Sequence, residues 1–230
     1  MGVLKIVEGR IFDKFADWES IDKEKALSNA RVLDLVREAC LIEAFFVVYV
    51  GKMIDLFWYD IEATSMFTIE GFEAYTHYYT LRRYLETVGY KPVTDQDVQE
   101  IRKKDKDKVY DDEIKELVNF MATEHFAACF FRDLSDMSDE TILKNLLMRL
   151  SGEEVIHSQF ASDLLKKKLD KEPLLKGRII TLSKDFKHIG LYALPFISNV
   201  KEDNLHHIQQ FNKKVEKLVG EKISDYLGGN

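Results

Sequence analysis

Residues 40–48 read CLIEAFFVV and residues 120–131 read FMATEHFAACFF, and these two stretches decide how the chain folds. Each is an apolar run that suits the buried face of a helix, and each carries one glutamate, Glu43 or Glu124. An unpaired carboxylate in an apolar interior is costly unless a positive charge compensates it. No Lys or Arg lies nearby on the same helical faces, and a bound metal ion is one way to supply that charge.

The composition predicts an all-α protein with long helices and an aromatic core. Of 230 residues, only 3 are Pro and 11 are Gly, below the usual shares of about 5% and 7%. The 15 Phe, 10 Tyr and 2 Trp supply large side chains for the interior. The length favours one domain over residues 1–230. Collagen-like, proline-rich disordered and disulfide-scaffold classes are excluded.

Turn signals divide the chain into four long helices and two further ones. The long helices are predicted at 23–57, 61–87, 111–133 and 138–171, and Asp136 or Ser138 is expected to cap the fourth. The charged stretch 90–110 is predicted to be a crossover, with a short helix at 95–104. We therefore expect a four-helix bundle over residues 27–170, built from two antiparallel hairpins. Two accessory helices are expected at 173–227, the first of them ending before Pro195.

The net charge limits the classes of binding partner, and the two cysteines indicate the cellular compartment. The 33 basic and 40 acidic residues give a net charge of -7, which argues against nucleic acid or an anionic membrane surface as a partner. Cys40 and Cys129 both lie in apolar runs, so we expect reduced core thiols and a cytoplasmic protein. The most apolar stretch, 40–58, contains Glu43, Lys52 and Asp55 and is therefore not expected to span a membrane.

Two Glu–His pairs lie on the predicted second and fourth long helices. Glu73 and His77 are four positions apart, and Glu154 and His157 are three apart, so each pair shares one helical face. Glu202 and His206 show the same spacing in a polar region, so a single pair has little specificity.

The positions of four glutamates relative to the turns are more specific. Glu43 and Glu73 are 30 positions apart, as are Glu124 and Glu154, and both midpoints fall at predicted turns. Each antiparallel hairpin therefore brings its two glutamates to the same depth. Four carboxylates and two imidazoles at one level of a bundle would balance the charge of two divalent metal ions.

In this set of four glutamates and two histidines, the sequence resembles the ferritin-like di-iron carboxylate superfamily. The resemblance implies two Fe ions, or Mn or a mixed pair, held by a set of six ligands: Glu43, Glu73, His77, Glu124, Glu154 and His157. The family usually has Glu-x-x-His on the second helix, whereas here Thr76 stands at the third position and His77 at the fourth. Three alternatives stay open. A π-bulge in the second helix could bring His77 to the metal, Glu70 could be the ligand at a shifted register, or Glu70 could contact a ligand without binding the metal itself.

Within that superfamily, residues 120–207 resemble the soluble acyl-carrier-protein desaturases. The resemblance lies in EVIHSQFASDLL at 154–165, ALPFI at 193–197 and EDNL at 202–205. It implies an O₂-activating oxidoreductase of desaturase or oxygenase type that acts on an apolar small molecule or acyl substrate. An external electron donor and a homodimer are implied as well. The family has a Thr where this chain has Ala127, so the sequence departs from the classical desaturase pattern at this position.

Several other residues have expected roles around the predicted centre. The candidates for a substrate pocket are Phe46, Ala127, Phe130 and Phe160. His125 points away from Glu124 by about 100° around the helix and is expected to be structural or to contact a ligand. Glu153 is expected to face solvent or to form a salt bridge. A ferritin-like ferroxidase without an organic substrate and a metal-free interaction bundle are the two alternative functions.

Overall fold

The computed structural model describes residues 15–186 and 204–223, and within these ranges the protein is all-helical with no strand. The α-helices are α1 Lys23–Leu27, α2 Ala30–Leu56, α3 Ile61–Val88, α4 Asp95–Lys103, α5 Glu113–Met137, α6 Thr141–Lys171, α7 Leu175–Asp185 and α8 Asn204–Val219. The all-α prediction is confirmed for the described residues. The expected helix end before Pro195 and the segment at 193–197 lie outside them.

Side chains at the turns determine where the long helices begin. Asn29 accepts a hydrogen bond from the Val32 amide at 3.2 Å, so the predicted first helix is divided into α1 and α2. Asp60 caps α3 in the same way, with the Ala63 amide at 3.0 Å.

The predicted cap of the fourth helix was wrong. α5 continues to Met137, and the carboxylate of Glu140 accepts from the amides of Ile142 at 3.1 Å and Leu143 at 2.7 Å. Glu140 is buried, and its carboxylate also accepts from the Tyr84 hydroxyl at 3.1 Å. This long-range partner explains why a glutamate replaces the more usual short capping residues.

The four long helices form two antiparallel pairs that pack side by side. α2 packs against α3 and α5 against α6, and further contacts join α3 to α6 and α2 to α5. Lys168 near the end of α6 lies 2.6 Å from Glu113 and 3.6 Å from Asp60, so these three helix ends meet at one end of the molecule. Asn29 donates to the carbonyl of Met137 at the other end. Neighbouring long helices therefore run in opposite directions.

The interior between the long helices is rich in aromatic side chains, as the composition indicates. The largest fully buried residues include Phe45, Phe57, Phe67, Phe120 and Phe131. Cys40 and Cys129 are buried free thiols. No described helix combines the length and the apolar character that crossing a bilayer requires.

Candidate metal centre

Six ionisable side chains from all four long helices converge in the middle of this interior, and each is at least nine-tenths buried. α2 supplies Glu43, α3 supplies Glu70 and His77, α5 supplies Glu124, and α6 supplies Glu154 and His157. Glu70 and His77 are two turns apart, and Glu154 and His157 are one turn apart, so each pair lies on the inward face of its helix.

The six side chains form two groups that share one carboxylate. The first group is Glu43, His77 and Glu154, and the second is Glu70, Glu124, Glu154 and His157. Within each group the ligand atoms lie within 4.8 Å of one another. Each group could hold a metal ion, and Glu154 belongs to both. The arrangement is unequal, since one group has three residues and the other has four.

The distances around the two imidazoles place both Nδ1 atoms at the centre. His77 Nδ1 lies 3.0 Å from Glu154 Oε1 and 3.5 Å from Glu43 Oε2. His157 Nδ1 lies 2.8 Å from Oε2 of both Glu70 and Glu154, and 4.0 Å from Oε2 of Glu124. Two atoms that each bind the same ion at about 2.0–2.2 Å lie roughly 3–4 Å apart, so these spacings fit a ligand set.

Three buried atoms of the centre lack the hydrogen bonds that such short distances would normally provide. His77 Nδ1, Glu70 Oε2 and Glu124 Oε1 have no hydrogen-bond partner among the described residues. Buried polar atoms are normally satisfied, so unpaired ones need an explanation. A cation in each group would give these three atoms a partner, and the residues present therefore fit divalent metal ions.

Glu73 does not join either group, although it was predicted as a ligand. Its side chain is 35% exposed, and its carboxylate accepts a hydrogen bond from Nε2 of His157 on the outer side of the ring. Glu70, one turn earlier, supplies the buried carboxylate instead. α3 is α-helical throughout Ile61–Val88, so no π-bulge brings His77 inward.

A second outer carboxylate holds the other imidazole. Glu153 Oε2 accepts from Nε2 of His77 at 2.8 Å, and Glu153 Oε1 accepts from Nε of Arg149 at 2.9 Å. A carboxylate on the outer nitrogen fixes the tautomer and the orientation of a metal-binding histidine. Glu73 on α3 bonds the histidine of α6, and Glu153 on α6 bonds the histidine of α3. Each of these two helices therefore orients the histidine of the other.

The role of these outer carboxylates was not predicted, although the sequence contains a signal for it. Glu73 stands four positions before His77, and Glu153 stands four positions before His157. The two halves therefore match at an offset of 80 in these positions. At that offset the counterpart of Glu154 is Ala74, and Glu70 supplies the acid one turn away. The expected salt bridge of Glu153 is present, with Arg149.

The electrostatics of the centre reflect buried acids that have no Lys or Arg beside them among the described residues. Among the described residues, no Lys or Arg forms an ion pair with the four carboxylates of the two groups. Burial raises the pKa of Glu43 to about 7 and also raises the pKa values of Glu70 and Glu124. Burial therefore disfavours the ionised forms of these acids when no cation is present.

The two imidazoles and Glu154 are shifted toward their charged forms instead. Burial disfavours both imidazolium ions, but the surrounding carboxylates outweigh it and raise the pKa values of His77 and His157. Burial also disfavours the Glu154 carboxylate, yet the two imidazoles lower its pKa. Protons thus supply the positive charge that metal ions would supply, and metal binding is expected to release them.

The other predicted residues lie on α2, α5 and α6. Phe46 lines a cavity beside α2 and α5, whereas Phe130 packs against Phe131 and Phe160 is 40% exposed. Ala127 is half-buried on α5. His125 donates from Nε2 to the carbonyl of His207 at 3.1 Å, so it ties α5 to α8 and has a structural role.

Comparison of the chain with protein-family models, with curated proteins and with solved structures found no significant match.

Proposed function

We propose that this protein is a ferritin-like dinuclear metal protein and that it works as an O₂-activating di-iron oxidoreductase on an apolar small molecule. The observation that carries the proposal is the pair of buried ligand groups sharing Glu154, with an outer carboxylate on each histidine. Pairs of glutamates and histidines from facing helices hold two metal ions in the ferritin-like carboxylate proteins.

Each ion has a defined set of residues in this proposal. Glu43 and His77 would hold one ion, while Glu70, Glu124 and His157 would hold the other, with Glu154 between them. Two iron ions would supply O₂ reduction and substrate oxidation, and Mn or a mixed pair would fit the same oxygen and nitrogen donors. The chain itself orients the imidazoles through Glu73 and Glu153 and surrounds the centre with a dry aromatic interior.

Two partners belong to the same proposal. An external electron donor would supply electrons for each turnover, because the proposed reaction consumes them. A homodimer is the expected assembly, and sedimentation velocity on the full chain would measure it directly.

A ferroxidase without an organic substrate is the second candidate. The partly exposed carboxylate of Glu73 favours it, because it gives hydrated cations a polar contact at the edge of the buried centre. Iron-loaded protein with a chemical reductant separates the two functions. A ferroxidase consumes O₂ in proportion to added Fe(II), whereas the proposed oxidoreductase continues to consume O₂ with reductant and substrate after iron addition stops.

Metal analysis after anaerobic loading tests the shared premise. We expect about two metal ions per chain in the wild type and weakened binding of both in Glu154→Gln. Glu38→Gln is the matched control, because Glu38 is a buried glutamate outside both groups. Wild-type protein with less than about 0.2 metal ion per chain would contradict the proposal and favour the metal-free interaction bundle.

A further inference from the structure

An apolar cavity of about 300 Å³ lies at the seam between α2 and α5, next to the proposed metal centre. Its walls include Phe46 and Tyr49 from α2, Phe120 from α5 and Phe186 just after α7. The rings of Phe46 and Tyr49 have centroids 5.4 Å apart, and those of Phe46 and Phe120 are 6.4 Å apart. The volume is at the lower end of the range for small-molecule sites.

The inner end of the cavity approaches the centre from one side. Phe46 follows Glu43 by three residues on α2, and Phe120 precedes Glu124 by four residues on α5. Because α2 and α5 run in opposite directions, both aromatic residues lie one helical turn from the centre toward the same end of the molecule. Thr123, which also lines the cavity, is adjacent to Glu124.

The outer end of the cavity carries two exposed lysines. Lys108 and Lys115 both line it, and Nζ of Lys108 lies 4.4 Å from the centroid of the Tyr110 ring. Neither lysine forms an ion pair with another described residue. Two acids face the same cavity, exposed Asp185 at the rim and buried Glu116 in the wall.

The Glu116 carboxylate is buried in the wall of the cavity and is not exposed at its mouth. Burial raises its pKa, although Asn119, Lys108 and Lys115 act in the opposite direction. Its Oε2 lies 3.5 Å from the Tyr49 hydroxyl in the aromatic wall. Because Glu116 is buried against Tyr49, the exposed charges at the mouth are those of Lys108, Lys115 and Asp185.

We propose that this cavity binds a free amphipathic carboxylic acid, with its carboxylate at Lys108 and Lys115 and its apolar chain among the aromatic side chains. Lys115 and Glu124 are nine residues apart on α5, which is about 13 Å along the helix. An extended chain of about ten carbons spans that length. The carbons next to the centre are then those farthest from the carboxylate. The assignment of this acid as the substrate rests on the proposed function, whereas its binding does not.

Calorimetric titration of the metal-free full chain with decanoate tests the binding site. We expect saturable binding below about 1 mM, and about fourfold weaker binding for each methylene removed from the acid. The double variant Lys108→Gln, Lys115→Gln is expected to bind decanoate about tenfold more weakly than the wild type. Its affinity for 1-decanol is expected to be unchanged. Lys171→Gln, an exposed lysine outside the cavity, is the matched control and should bind like the wild type.

A cavity-filling variant tests the location independently of charge. Leu182→Trp, on the α7 wall of the cavity, is expected to weaken the binding of decanoate and of 1-decanol alike. Circular dichroism verifies that the variant folds. Decylamine binding as tightly as decanoate would overturn the carboxylate assignment, and so would an unchanged affinity in the lysine double variant. The absence of decanoate binding up to about 1 mM would overturn the site itself.

Metal content measured on the same samples separates this inference from the proposed function. Decanoate binding without stoichiometric metal supports the cavity and contradicts the di-metal centre. Two metal ions per chain without decanoate binding supports the di-metal centre and contradicts the cavity as a binding site.

Discussion

Substituting Glu70 and Glu73 in turn tests which glutamate of α3 would be a ligand in the proposed metal centre. The two carboxylates contact opposite nitrogens of His157, with Glu70 at Nδ1 inside the centre and Glu73 at Nε2 outside it. Glu70→Gln removes one of the four buried carboxylates, so the negative charge available to two divalent ions falls by a quarter. Glu73→Gln leaves that charge in place and weakens only the orientation of the ring.

The magnitudes expected for the two variants differ. Loss of an outer partner typically lowers metal affinity by about 10–100-fold, which is about 1.4–2.7 kcal/mol. We expect Glu73→Gln to fall in that range while it still binds two ions at saturation. Glu70→Gln should lose more than about 100-fold in affinity for one ion. It should therefore retain about one ion per chain under the same loading.

Anaerobic Co(II) titration against a competing chelator measures both quantities from the visible absorption of the bound metal. Glu38→Gln provides the control for a buried acid that lies outside the two groups. Should Glu73→Gln lose an ion at saturation while Glu70→Gln keeps both, Glu73 would be the ligand, and the register described for α3 would be wrong.

Four further predictions follow from particular contacts. Glu43→Gln is expected to lose the ion of the three-residue group and keep the other, so metal analysis should give about one ion per chain, and loss of both would contradict independent groups. Chelator added to the loaded protein should lower the free energy of unfolding by about 2.7 kcal/mol for each site that had been held at 100 times its Kd, and an unchanged thermal midpoint would argue against folded-state metal. Glu140→Ala should lower the free energy of unfolding, measured with denaturant, by about 2–4 kcal/mol. The substitution removes a helix cap and leaves the buried Tyr84 hydroxyl unpaired. The same loss in a Tyr84→Phe background would show that the two side chains are not coupled. Burial raises the pKa of Glu38 from 4.5 to about 7, so the folded state binds the extra proton and loses stability as pH rises through this window. Glu38→Gln should remove about 1–2 kcal/mol of this pH-dependent loss of stability, after allowance for solvent screening. Parallel curves of unfolding free energy against pH for the wild type and the variant would contradict this prediction.

The helices were predictable because their signals are local. The apolar runs, the scarcity of Pro and the polar turns near Asp60 and Gly89 all act within a few residues, and the structure places helix ends there. The capping of α6 was not predictable in this way. Glu140 works as a cap because it also bonds Tyr84, which is 56 positions away in the chain.

The choice between Glu70 and Glu73 could not be made from the sequence either. Three residues correspond to 300° around a helix, so the two side chains point only about 60° apart and both fit an inward face. Packing decides the rotation of α3. Gly71 faces α2 so closely that a Cβ there would lie 3.0 Å from Cγ1 of Val50, a long-range contact that the spacing of the two glutamates does not reveal. Glu43 and Glu124, in contrast, stand alone in apolar runs and were identified from the sequence alone as candidates.

The exchange of outer carboxylates between α3 and α6 has a consequence for how the protein matures. His77 is held by Glu153, and His157 is held by Glu73, so the first hairpin leaves the ribosome before the partner of its histidine has been made. Synthesis must pass residue 157 before both imidazoles can have their partners. Ions captured by the nascent first hairpin would thus meet an incomplete and mobile ligand set. In the proposed function, a complete ligand set for metal would therefore form only after the two hairpins have met.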